Sequence, residues 1–179
     1  MFPQKSLLST GGSRPMKTLV IYDSTFGNTE RIAKAIATGA GEAGEADAVR
    51  VTAIRDIDWQ MVSALIVGSP TQGGRSTKAI QDFLSHIPDQ ALQGIVVAGF
   101  DTRFEEAKQN FALRLLMKTI QYAGEKILNQ LKQKGGNAAG SEGFIVAGKE
   151  GPLKDGELER ARAWGNAVVS GNDNEHNLV

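Results

Sequence analysis

The chain has 179 residues, of which 41% are hydrophobic, and its 20 basic side chains balance 20 acidic ones. That size and composition fit one globular domain with a substantial core. The absence of cysteine excludes disulfides, thiolate catalysis and cysteine-ligated iron–sulfur or zinc sites, so any redox chemistry needs an organic cofactor. No apolar run approaches the roughly 20 residues of a membrane span and no basic block indicates nucleic-acid binding, so we expect a soluble cytoplasmic protein with neither kind of partner.

The two ends of the chain are polar. Residues 1–15, MFPQKSLLSTGGSRP, are polar and contain Gly, Ser and Pro, so they are predicted to form a disordered or loosely ordered extension. Their apolar stretch is too short for a signal peptide. Residues 171–179 are predicted to be a fraying polar tail. One domain is therefore expected over residues 16–170.

Strands and helices alternate along that domain. Short apolar runs predict strands at residues 17–22, 48–52, 64–68, 94–99 and 143–147. Amphipathic or alanine-rich runs predict helices at residues 29–39, 57–62, 77–84, 107–134 and 156–169. Five strands alternating with helices predict an α/β fold, a doubly wound five-stranded parallel sheet in a three-layer αβα arrangement.

The most distinctive loop, STFGNT, separates the first strand from the first helix. Ser24, Thr25 and Thr29 supply hydroxyls, Asn28 supplies an amide, and Gly27 lets the backbone approach a ligand closely. Backbone N–H groups and the dipole at a helix start add partial positive charge, so the loop predicts a phosphate site. It lacks the lysine of a GxxxxGK[ST] motif, which argues against nucleoside triphosphate hydrolysis.

Two further polar segments follow the third and fourth predicted strands, SPTQGGRST and FDTRF. The carboxyl ends of parallel strands meet at one edge of a sheet, so these segments should share a crevice with STFGNT. Their candidate ligand-binding residues are Pro70, Thr71, Gln72, Gly73, Gly74, Phe100, Asp101, Thr102, Arg103 and Phe104.

Two other patterns do not carry the functions they suggest. GAGEAG, from residue 39 to 44, matches GxGxxG but follows a helix instead of a strand, so we interpret it as a helix-ending loop. Asp23 and Lys149 suggest a phosphoacceptor response regulator, yet strand three ends without an aspartate to phosphorylate.

Over nearly all of residues 16–170 the chain resembles the flavodoxin family. STFGNT stands where that family has its S/T-x-T-G-N-T loop for the phosphate of FMN, and GSPTQGG and FDTRF resemble its two isoalloxazine loops. The uninterrupted fifth strand is that of a short-chain form. YDSTFGNTE and VGSPT are also similar to the flavodoxin module of flavodiiron proteins, whose oxygen chemistry does not transfer without a diiron domain. The resemblance implies the strand order 2-1-3-4-5.

The resemblance also implies roles around the flavin. Phe26 stands where flavodoxins commonly have threonine, and it either covers the edge of the cofactor or packs within the loop. Gly73 and Gly74 make a peptide rotation cheap, so that a carbonyl can meet the proton on N5 of a reduced flavin. It further implies stacking by Phe100 or Phe104, pyrimidine contacts from Asp101 and Thr102, and Arg75 and Arg103 either near the ring or in solvent.

The resemblance therefore predicts an FMN-binding electron-transfer protein that docks redox partner proteins. An NAD(P)H-dependent quinone or flavin reductase on the same fold is the alternative, and the balanced charge keeps it open because carrier flavodoxins are typically acidic. A flavin-free interaction or regulatory domain is the third hypothesis.

Overall fold

The computed structural model describes residues 16–104 and 122–171. The strands within these ranges are β1 Lys17–Tyr22, β2 Ala46–Arg50, β3 Val62–Pro70, β4 Val96–Phe104 and β5 Asn137–Val146. The helices are α1 Asn28–Ala40, α2 Lys78–His86, α3 Ala123–Gln133 and α4 Glu157–Ser170. The predicted extension at 1–15, residues 172–179 of the predicted tail and residues 107–121 of the helix predicted at 107–134 lie outside the described residues.

The five strands form one parallel sheet in the order β2-β1-β3-β4-β5, which confirms the predicted fold. β1 lies between its two neighbours, with Val20 paired to Ala48 on one side and Ile66 on the other. The strand order reverses between β1 and β3. A crevice therefore opens beyond the carboxyl ends of these two strands.

Each face of the sheet carries its own core. On one face, α1 and α4 bury Ile32, Ile36 and Phe144 among the apolar side chains of the strands. On the other face, Leu84 of α2 and Ile127 of α3 pack against the sheet. Each fully buried aliphatic or aromatic side chain contributes about 1.5–3 kcal/mol, so both layers hold the strand ends firmly in place.

The fourth strand is longer than predicted. The sequence indicated a strand over residues 94–99 followed by a loop, but β4 continues to Phe104 and stays paired with β5 as far as Val146. The continuation is stable because its two charges neutralise each other: the Arg103 guanidinium donates to the Asp101 carboxylate at 2.6 and 2.7 Å. The prediction of a loop at 100–104 was therefore wrong.

Three smaller differences concern the limits of other elements. The predicted helix at 57–62 is only a 3₁₀ turn, Trp59–Met61. β5 begins at Asn137, well before the predicted start at residue 143. Tyr122, predicted inside a long helix, has extended backbone and immediately precedes α3. The GAGEAG segment ends α1 as expected, with Gly41 as its C-cap.

No helix of the described residues is both long enough and apolar enough to cross a membrane.

Candidate functional site

A cavity of about 250 Å³ occupies the crevice at the carboxyl ends of the strands. It is lined by Thr25, Phe26, Asn28, Thr29, Pro70, Thr71, Gln72, Gly73, Thr102, Phe104, Val146 and Lys149. The three predicted segments therefore do converge. A larger cavity of about 430 Å³ lies between α2 and the segment from Val51 to Trp59, but it contains none of the three loops.

The start of α1 offers backbone donors to this cavity. The helix begins at Asn28, after Gly27 in the left-handed conformation at φ 84°, and no side chain caps it. The first helical hydrogen bond runs from the Arg31 N–H to the Gly27 carbonyl. The amides of Asn28, Thr29 and Glu30 therefore have no acceptor within the helix. Uncapped amides at a positive helix end fit an anion such as a phosphate.

The polar side chains of STFGNT build the loop as well as line it. The Ser24 hydroxyl is buried and accepts the Gly27 N–H at 3.0 Å. The Asn28 side chain donates to the Glu150 carbonyl at 3.0 Å, and the Thr29 hydroxyl lies 2.8 Å from the hydroxyl of Thr102. These side chains were predicted as phosphate contacts. The structure gives each of them a protein partner, which fixes the shape of the loop.

Asp23 and Arg50 support the loop, a role that was not predicted for either residue from the sequence. The Ser24 N–H donates to the Asp23 carboxylate at 2.9 Å. The Arg50 guanidinium, at the end of β2, bonds both the Asp23 carboxylate and the Ser24 carbonyl, at 3.2 and 2.7 Å. Since Arg50 lies far from this loop in sequence, only the sheet pairing could have revealed the contact.

The second segment forms a tight hairpin. Gln72 and Arg75 exchange both backbone hydrogen bonds, at 2.9 and 3.1 Å, and the two residues between them have positive φ, 56° at Gly73 and 75° at Gly74. Positive φ at both central positions is typical of a type I′ turn, which glycine adopts without strain. The Lys126 ammonium of α3 donates to the Gly74 carbonyl at 2.7 Å.

The hairpin is also tied to its neighbours. The Thr71 N–H donates to the Thr102 carbonyl at 3.0 Å, and the Thr71 hydroxyl accepts the Ala123 N–H at 3.2 Å. The Thr77 N–H donates to the buried Ser69 hydroxyl. These bonds fix both ends of the segment, so the two glycines at its tip are its most adjustable part.

Two predicted ring contacts from β4 lie elsewhere. The Asp101 carboxylate is fully buried and accepts hydrogen bonds from Arg103 and from the Gly124 N–H. Burial raises the pKa of Asp101 above its usual value, and the bonds from Arg103 and Gly124 oppose that rise. The Arg103 guanidinium lies 3.6 Å from the centre of the Tyr122 ring. Both side chains hold β4 to the start of α3 and do not line the cavity.

The two phenylalanines of FDTRF have opposite environments. Phe100 is fully buried and packs edge-on against Phe144 and Trp164, so it cannot stack on a ligand in the crevice. Phe104 is 42% exposed and lines the cavity, as does Phe26, which is 47% exposed. The expectation for Phe100 was wrong because residue 100 lies on the α1 and α4 face of a continuing strand.

Two cavity-lining residues were not assigned to the site from sequence. Val146 ends β5, and Lys149 lies in the turn that follows it. The signal was available, because the fifth strand of a doubly wound sheet also ends at the ligand edge. No cluster of potential metal ligands occurs in residues 16–104 and 122–171.

The fold and crevice define a doubly wound α/β protein with a cavity at the carboxyl ends of its strands, beside the loop after β1. The sequence profile of the flavodoxin family matches residues 20–164. The chain therefore belongs to the flavodoxin family.

The chain is also similar to individual proteins and solved structures. A protein of Methylocella silvestris named NAD(P)H dehydrogenase (quinone) is 28% identical, over 82% of this chain and 91% of its own. A flavodoxin from the domain Archaea superposes with a TM-score of 0.67 at 18% identity, covering 88% of this chain and 99% of its own. The Flv1 flavodiiron core of Synechocystis superposes with a TM-score of 0.63 at 19% identity, covering 89% of this chain and 36% of its own.

Proposed function

We propose that this chain binds FMN in the crevice and transfers electrons between partner proteins. The observation that carries the proposal is the set of uncapped amides at the start of α1, where Asn28 and Thr29 line a cavity whose wall also includes Gln72 and Gly73 of the hairpin. The amides suit the phosphate, and the cavity beside them suits a flat ring. Bound FMN would supply the redox chemistry.

Phe104 is the residue that we assign to stacking on the flavin. It is exposed and lines the cavity, while Phe100 is committed to the core. Phe26 lies across the same cavity and is also exposed, which supports a covering role over internal packing. Aromatic rings in offset or edge contact contribute about 0.5–1.5 kcal/mol beyond their burial.

The hairpin supports the expected peptide rotation at Gly73. Rotating the Gly73–Gly74 peptide converts a type I′ turn into type II′ and leaves both Gln72–Arg75 hydrogen bonds intact. The Gly74 carbonyl is held by Lys126, so the Gly73 carbonyl is the one that can turn to accept the proton on flavin N5. Crystal structures of oxidised and reduced protein test this, and an unchanged peptide orientation would disprove it.

An NAD(P)H-dependent quinone reductase is the second candidate. The name of the Methylocella relative favours it, and so does the balanced charge of the chain. Such an enzyme would use the same FMN site and would admit a nicotinamide and then a quinone to the exposed face of the ring.

Two measurements separate these functions. The absorbance spectrum of the purified protein, before and after added FMN, should show bound flavin. NADPH oxidation with a quinone is then followed on the loaded protein, with free FMN at the same concentration as control. A rate well above the control supports the reductase, and a rate equal to it supports the carrier. A colourless protein that fails to bind added FMN would contradict both and favour a flavin-free domain.

A further inference from the structure

A lysine in the turn after β5 contributes to the wall of the crevice. The turn from Gly148 to Gly151 is closed by a hydrogen bond from the Gly151 N–H to the Gly148 carbonyl at 3.2 Å. Lys149 occupies its second position and lines the cavity. A second bond, from the Ala147 N–H to the Pro152 carbonyl at 2.9 Å, fixes the base of the turn.

The same turn is attached to the first turn of α1. The Asn28 side chain donates to the Glu150 carbonyl at 3.0 Å, so the residue next to Lys149 is held against the loop that precedes the helix. The lysine backbone thus has a fixed position beside the amides of Asn28 and Thr29. A flexible side chain anchored there reaches a ligand in the loop at little cost in backbone entropy.

Lys149 also differs in charge from everything else in the wall. Among the described residues that line the cavity, it is the charged one. Three other basic groups nearby are engaged: Arg50 with Asp23, Arg103 with Asp101, and Lys126 with the Gly74 carbonyl. Within the described part of the chain, Lys149 takes part in no ion pair with a carboxylate.

We propose that Lys149 determines the specificity of this site for a phosphorylated flavin over the same flavin without its phosphate, an inference that rests on the proposed function. The loop STFGNT itself contains no cation. Its Ser24, Asn28 and Thr29 side chains already have protein partners, so within the loop a doubly charged phosphate would face only neutral donors, the backbone amides and the Thr25 hydroxyl. The ammonium of Lys149 supplies the missing positive charge as a charge-assisted hydrogen bond donor.

The test compares FMN with riboflavin, which lacks the phosphate, on the wild-type chain and on Lys149→Gln, Lys149→Arg and Lys132→Gln. Lys132 is exposed in the last turn of α3, near the opposite edge of the sheet, and its variant controls for loss of net charge. Dissociation constants are measured by quenching of flavin fluorescence, and inorganic phosphate serves as a competitor.

Lys149→Gln should weaken FMN binding about 10-fold and change riboflavin binding less than about 2-fold, because a hydrogen bond to a charged group is lost. Lys149→Arg and Lys132→Gln should both stay near wild type. Inorganic phosphate should compete with FMN less well in Lys149→Gln than in the wild type.

A second readout uses the protonation of the phosphate. A phosphate monoester loses its second proton near about pH 6, so wild-type affinity for FMN should rise from pH 5 to pH 7.5, and the rise should be smaller in Lys149→Gln. Equal loss of FMN and riboflavin affinity would overturn the specificity role, as would an unchanged FMN constant. A wild-type chain that binds neither flavin would overturn the proposed function and this inference together.

Discussion

At the proposed phosphate end of the crevice, residues 24–29 with the turn at 148–151, the Asn28 and Thr29 side chains are bonded to segments distant in the chain. At the ring end, residues 70–75 with Phe104, two central glycines form the tip of a hairpin and an aromatic side chain is exposed. One end is shaped by partners drawn from distant segments, while the other ends in a Gly-Gly peptide that can rotate without loss of the hairpin hydrogen bonds. If the crevice binds FMN as proposed, we expect the first end to supply affinity and selectivity for the phosphate and the second to adjust the redox properties of the ring.

The largest effect should come from the buried carboxylate that supports the ring end. Asp101→Ala leaves the Arg103 guanidinium and the Gly124 N–H without their acceptor, so we expect a loss of about 3 kcal/mol in the free energy of unfolding. Urea denaturation measures it. Asp89→Ala removes an exposed ion pair with Lys134 and should leave the midpoint nearly unchanged. Similar midpoints for both variants would mean that the ring end does not depend on this carboxylate.

The hydroxyl pair between Thr29 and Thr102 joins the two ends, and its loss should have the next largest effect. Thr29→Val leaves a buried hydroxyl on Thr102 without a partner, at a cost of about 1–2 kcal/mol. The double variant with Thr102→Val should recover most of that stability, because neither hydroxyl is then left unpaired. Thermal denaturation of the four proteins in the cycle measures the coupling, and strictly additive losses would contradict it.

Phe104→Ala tests whether the aromatic side chain at the ring end stacks on the flavin. The lost stacking should weaken FMN and riboflavin binding by the same factor, about 5-fold, since both ligands carry the ring. Lys149→Gln should instead affect FMN selectively. Met16→Ala, at another exposed apolar side chain, is the control for nonspecific effects. A loss of FMN affinity without a loss of riboflavin affinity in Phe104→Ala would indicate that the aromatic side chain contacts the phosphate. It would contradict the assignment of Phe104 to the ring end.

The smallest effect should follow Lys126→Met. Removing a cation that holds the Gly74 carbonyl should leave FMN affinity nearly unchanged but disfavour negative charge on the reduced ring. We expect the reduction potential to fall by about 30 mV, with Lys132→Met unchanged. Spectroelectrochemical titration measures both variants, and a rise in potential would contradict the role given to this lysine.

Much of the fold followed from local sequence. β1 has the predicted bounds, and the alternation of strands with helices predicted the sheet and its parallel pairing. The predicted fourth strand ended too early because charged residues such as Asp101 and Arg103 are typical of loops. Their pairing at positions i and i+2 of one strand, which satisfies both charges inside the sheet, is visible only once the strand is built.

The prediction of the site was also correct only in part. Parts of both loops line the cavity, Thr25, Phe26, Asn28 and Thr29 from the first and residues 70–73 from the second, because their strands end at one edge of the sheet. Ser24, Gly27 and Gly74, which were also predicted, do not line it. Phe100 was misassigned with its strand, since the alternation of side chains sends residue 100 into the core. Lys149 was considered only for a different chemistry, because its relation to the loop depends on the Asn28–Glu150 contact.

That contact between Asn28 and Glu150 joins residues 122 positions apart in the chain. During synthesis, the loop at 24–29 leaves the ribosome long before the segment that completes its wall. Closing such a distant contact is slow compared with forming a local helix. The proposed flavin site would therefore be completed late in the biogenesis of this protein, and a bound flavin would report that the chain had been synthesised and folded past its fifth strand.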